Sequence, residues 1–231
     1  MRTFGKSFLD WLDTLQLPVA LPLGYELLEP YKKSEVRAAV TAFAERYYAD
    51  ANPRVGVFGI NPGRFGAGLT GLSFTDPYAL GKLCGIQHTL GDGREISATF
   101  VYETIEAFGG VERFYRQFYL SALVPFGFTR DGRNVNFYDE PNLERSVLPL
   151  IAEWLQQQQQ FPLCREVGII LGSGKLRRIA EKLNEKHRLF DRLVVLDHPR
   201  FIMQYRRTQL RRYVEQYVRA YHDARLLCGM T

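Results

Sequence analysis

Apolar and polar positions change period repeatedly along this 231-residue chain. Phe4, Phe8, Leu9, Trp11, Leu12 and Leu15 recur at helical spacing over about 4–16, and Val36, Val40, Phe43 and Tyr47 do so over 34–49. The period then breaks. Residues 54–60 carry Val55, Val57, Phe58 and Ile60 in a short apolar run that stops at Asn61-Pro62-Gly63. Such a run, bounded by Pro and Gly, predicts a strand buried on both faces. Further strands are predicted at Tyr119–Val124, Glu166–Leu171 and Leu193–Leu196. Helices are predicted near 99–117 (interrupted at Gly109-Gly110), 142–158, 174–187 and 204–223, with a short one from Asp76-Pro77 to about 84. Residues 127–141 read as a polar loop.

This alternation predicts an α/β fold: a three-layer α/β/α sandwich around a four-stranded, mainly parallel sheet with right-handed crossovers. No repeat or linker divides the chain, so a single domain over 1–231 is expected, with 1–50 as a helical arm packed on it. In open α/β sheets ligands bind beyond the carboxyl ends of the strands. Asn61 falls there, followed by a glycine-rich loop that closes on Phe74.

Composition narrows the class. With 46% hydrophobic and 24% charged residues and no long apolar stretch, a soluble cytoplasmic (bacterial cytosol) protein without membrane association is expected. The amphipathic N-terminus does not read as a signal peptide. Cys84, Cys164 and Cys228 are odd in number, widely spaced and without a C-x-x-C pair, so reduced thiols and no metal or iron–sulfur site are expected. The net charge of +5 is concentrated: residues 200–225 hold seven arginines against Glu215 and Asp223. Clustered cations suit a polyanionic backbone. The same arginines also fit the solvated face of a helix.

Two phosphate-binding patterns fail on context. Gly66-x-Gly68-x-x-Gly71 is separated from its strand by Asn61-Pro62 and opens no helix, and Gly172-Ser173-Gly174-Lys175 has Leu176 where a magnesium-binding hydroxyl belongs. The second reads as a turn whose amides, with Ser173 and Lys175, are expected to hold one DNA phosphate.

The stretch Asn61-Pro62-Gly63-x-Phe65-Gly66, then Thr70-Gly71-x-x-Phe74, resembles the first motif of the single-strand-selective monofunctional uracil-DNA glycosylases. Val194-Val195-Leu196-Asp197-His198-Pro199 is similar to the family's second motif, a strand ending in His-Pro. The bacterial offshoot fits better than the vertebrate enzymes. The resemblance implies a DNA glycosylase of base-excision repair that hydrolyses the N-glycosidic bond and leaves an abasic site. It implies no cofactor and no metal, with DNA as partner, single- or double-stranded and carrying a damaged base. No obligate protein partner is evident.

In that reading Asn61 orients the attacking water and His198 stabilises the departing base. Phe74 stacks on the base, Gly63 leaves the pocket wide, and the Ile60 backbone contacts the base. Each residue also has a plainer reading: Asn61 as a turn residue capping its own backbone, Phe74 as one of sixteen core-forming phenylalanines. Arg64 and the Arg200-Phe201-Ile202-Met203 segment are expected to hold an opened strand, although the latter also reads as a staple leading into the last helix.

The family's base-reading Asn is missing. Anchored on Pro125, its place falls to Ala122, with Ser121 beside it. Base selection is therefore expected to be relaxed beyond uracil to other deaminated bases such as xanthine, with Ser121, Asn134 or Asn136 as substitute contacts. Two alternatives remain open: a catalytically idle damage-binding module of the same fold, and a nucleoside or nucleotide hydrolase.

Overall fold

The computed structural model describes residues 2–230. Its centre is a four-stranded sheet of β2 (Arg54–Gly59), β3 (Phe118–Ala122), β6 (Leu163–Leu171) and β7 (Arg192–Leu196), in the order β3-β2-β6-β7. Every pairing in it is parallel. Side chains alternate across the sheet, as strand geometry requires. Val55, Val57, Val167, Ile169 and Leu171 enter a core shared with α1 (Phe4–Thr14), α2 (Ser34–Tyr47), α4 (Ile96–Phe108), α5 (Val111–Gln117) and α9 (Leu210–Leu227). Phe58 and Ile170 point the other way, into a second core with α6 (Pro141–Gln158) and α7 (Lys175–His187). The result is the expected three-layer α/β/α arrangement.

The start of β2 is pinned by Arg54, which is 0% exposed. Its guanidinium donates to the carbonyls of Tyr115, Asn52 and Tyr47 and pairs with Asp50, while Phe4 and Tyr48 lie against its charge. Every face of a buried cation is thereby met, the condition for its burial.

Three expectations need correction. The polar loop 127–141 contains two strands, β4 (Gly127–Arg130) and β5 (Arg133–Val135), and the N-terminal arm contains β1 (Tyr25–Leu28). Together they form an antiparallel sheet in the order β1-β4-β5. Its hairpin turns on Asp131-Gly132, both at positive φ, the conformation an Asp-Gly pair favours. Second, the last predicted helix is two: α8 (Pro199–Tyr205), opened by Pro199 in its first turn, and α9 after a break at 206–209. Third, Cys164 and Cys228, 64 residues apart, meet where β6 begins and α9 ends, and are joined by a disulfide; only Cys84 remains free. No helix among the described residues is long and apolar enough to cross a membrane.

Candidate active site

Beyond the carboxyl ends of β2, β3 and β7 lies a cavity of about 80 Å³. One water needs about 10–15 Å³ on this scale, so the space suits one small planar group. Its wall brings together Ile60, Asn61, Gly63, Phe74, Ser121, Ala122, His198 and Arg200, which the sequence scatters over 141 positions.

Asn61 follows β2 after one residue, Ile60, and both ends of its carboxamide are fixed. Oδ1 accepts the Phe137 amide at 3.0 Å, and Nδ2 donates to the carbonyls of Val135 and Pro62, each at 3.3 Å. The segment leaving β5 is thus the clamp for Asn61, and it is the segment read as a loop from sequence. An amide carbonyl oxygen has two acceptor sites. One Oδ1 lone pair stays available to the cavity.

His198 lies two residues beyond β7 and caps α8. Its Nδ1 accepts the Arg200 backbone N–H at 3.1 Å, which assigns the ring proton to Nε2. Burial, with the Arg200 charge second, lowers its pKa to about 4. At neutral pH His198 is an uncharged imidazole with one N–H to give. Asp197 does not support the ring: its carboxylate accepts the Ser173 hydroxyl at 2.6 Å.

Phe74 lies 6.1 Å from His198, centroid to centroid, at 47°. Its backbone is at φ 55°, a left-handed conformation costly for an aromatic residue. Two features hold it there. The Thr70 hydroxyl donates to the Thr75 carbonyl at 2.6 Å and accepts the Leu72 amide, while the Thr75 hydroxyl meets Tyr102, itself bonded to Tyr115. Gly59 completes the seat, because a Cβ there would stand 2.5 Å from the Phe74 ring.

Other expected contacts are placed differently. The Ser121 hydroxyl is turned to buried Gln158, at 2.7 Å, so its proton is spent there. Ile202 is 0% exposed and Met203 packs half-buried against the core. Residues 200–203 therefore form the first turn of α8, and Ile202 is removed from any strand-opening wedge. Phe201 stays exposed beside Tyr205 and Arg206 on the other face. Lys175 is no free cation: its ammonium donates to the Tyr138 carbonyl and pairs with Glu144, both at 2.7 Å. Ser173 is exposed but committed to Asp197. Arg64 is exposed, stacked on Phe65 at 4.2 Å.

One wall residue escapes sequence reasoning. Glu95, just before α4, lines the cavity with Ser97, and its carboxyl lies against Gly66. Burial raises its pKa, Asp76 adds to the rise, and Ser97 and the Ala98 amide oppose it. Nothing near Glu95 in sequence marks it, since the fold alone carries 95–97 to the glycine loop. Among the described residues, the one cluster with metal-ligand chemistry is Cys164, Glu166 and Cys228. It lies at the opposite end of β6 from the cavity, with its sulfurs joined.

Comparison with known proteins agrees with this geometry. The family model of the Uracil DNA glycosylase superfamily matches residues 46–222. The crystal structure of wild-type Pedobacter heparinus SMUG2 superposes with a TM-score of 0.92 at 38% identity, covering 97% of this chain and 99% of that one. No curated protein matches. With most of its length matched by the family model and nearly all of it superposed on a solved relative, the chain belongs to the uracil-DNA glycosylase superfamily, in its SMUG-type family, and is a DNA glycosylase of the uracil-DNA glycosylase type.

Proposed function

We propose that the protein is a monofunctional base-excision glycosylase for deaminated bases, uracil and xanthine among them, that leaves an abasic site and needs neither metal nor cofactor. The observation that carries this reading is the convergence of Asn61, His198 and Phe74 on one cavity of nucleobase scale. A duplex hides the glycosidic bond, so the nucleotide enters extruded or from a single strand. Phe74 then offers a face for the base, and the free Oδ1 lone pair of Asn61 orients a water toward the anomeric carbon.

As the carbon–nitrogen bond breaks, its electron pair goes to the base and the sugar gains oxocarbenium character. The water oxygen bonds to the anomeric carbon and its proton passes to solvent. His198 donates Nε2–H to the base carbonyl on which charge collects, an anion-stabilising contact that needs no buried cation. Ala122 offers no hydrogen bond where a carboxamide would read uracil, which supports a range of bases wider than uracil alone. Arg64, Arg200 and Phe201 at the exposed rim serve the flanking strand.

The test is product formation. On uracil- and xanthine-containing oligonucleotides the wild type yields alkali-labile abasic sites, and Asn61→Ala loses at least 100-fold in rate, on the order expected for loss of water positioning. Equal binding with no product from either protein would sink the proposal and leave a damage-binding module.

A further inference from the structure

Asn134, on β5, lines the same cavity as Asn61, Phe74 and His198. The two ends of its carboxamide are not equivalent. Oδ1 accepts the backbone N–H of Arg64 at 2.9 Å. An N–H cannot donate to an NH₂ group, so this bond fixes the orientation of the amide. Nδ2 is left facing Gly63, 3.4 Å from where a Cβ would stand, and has no hydrogen-bond partner among the described residues. The nearby carboxamides and the Ser121 hydroxyl are engaged elsewhere: Asn61 with Val135 and Pro62, Asn136 with Asp139, Ser121 with Gln158.

We propose that Asn134 is the specificity-determining residue that takes over from the carboxamide missing at Ala122, donating from Nδ2 to the exocyclic carbonyl of the bound base. The proposal rests on the glycosylase reading above. Deamination replaces an exocyclic amine, a donor, with a carbonyl, an acceptor. A freely rotating Asn amide serves either. One whose acceptor end is held by Arg64 serves only the carbonyl and sets N–H against N–H when an amine is present. An unpaired donor pair in a partly desolvated site is costly. Gly63 keeps the space beside Nδ2 open, since a Cβ there would stand 3.4 Å from it.

Asn134→Asp isolates the claim. The substituted side chain keeps an acceptor for the Arg64 amide and replaces the cavity-facing donor with an acceptor, adding a negative charge whose effect on strand binding the neutral Asn134→Ala separates. The measurements are single-turnover kcat/KM on uracil- and xanthine-containing oligonucleotides, and affinity for an oligonucleotide with an abasic site, which has no base to read. The expected result is a loss of roughly 10- to 100-fold in kcat/KM on both bases, with the abasic-site affinity of the neutral Asn134→Ala within about twofold of wild type. Asn134→Ala, which removes the donor without adding repulsion, should lose less than the Asp variant. Wild-type kcat/KM in both variants overturns the proposal. So does a parallel loss of abasic-site affinity in Asn134→Ala, which would make Asn134 a support for the hairpin. If the wild type releases no base from any oligonucleotide, the glycosylase reading itself fails, a result read from the wild-type protein alone.

Discussion

At the scale of single residues, the site works by removing choices. His198 is denied its usual titration: an unfolded imidazole takes up its proton near pH 6.5, the folded one near 4. Keeping the ring neutral therefore contributes stability that is fully present above 6.5 and is lost as pH falls from 6.5 toward 4. Activity that relies on a neutral Nε2–H follows the folded value instead and is lost only as pH approaches 4. The pH–rate profile should stay flat through 6.5, with no limb there that disappears in His198→Gln. A wild-type inflection near 6.5 that the substitution abolishes would contradict the neutral donor. Arg54 shows the same economy in the core, where three carbonyls and Asp50 depend on one guanidinium. Arg54→Met should lower the unfolding free energy by about 3–5 kcal/mol, measured by denaturant titration. A change below about 1 kcal/mol would mean that water replaces the guanidinium freely.

At the scale of elements, the strained turn around Phe74 and the small antiparallel sheet matter most. Thr70 holds the turn through its hydroxyl, so Thr70→Ser should keep most of the activity. Thr70→Val should lose about tenfold, on the order of the 1–3 kcal/mol for an unmet buried hydrogen bond. Equal activity in the two variants would show that packing alone seats Phe74. Gly59→Ala should act in the same direction, because the ring must move to admit the new methyl. Much of this is legible in the sequence: the four strands of the main sheet and the three side chains that meet at one cavity. The second sheet is not, for a physical reason. Its strands are three or four residues long and carry Arg, Asn and Glu among few apolar side chains, too short to show a period. The Asp131-Gly132 pair was the available signal. Ile202 and Lys175 were misplaced because exposure of a residue after a turn depends on the helix that follows, and on partners such as Glu144 that sequence proximity does not reveal.

At the scale of the whole molecule, Arg64 and Arg200 beside the cavity have no ion-pair partner among the described residues, while Lys175 and Arg211 are tied to Glu144 and Glu215. Affinity for an oligonucleotide should fall steeply with salt, and Arg200→Gln should flatten the logarithmic slope by about one unit. An unchanged slope would place the phosphate contacts elsewhere.

The way Asn61 is clamped reaches further along the chain than the superfamily match does. The clamp belongs to β4 and β5, whose outer edge is closed by β1 through the Thr129–Glu26 bond and the Arg130–Tyr25 contact. β1 ends at Leu28, ahead of residue 46, where the superfamily match begins. A fragment trimmed to that match would keep the parallel sheet and every motif residue, yet surrender the buttress behind the Asn61 amide, so the structural unit is wider than residues 46–222.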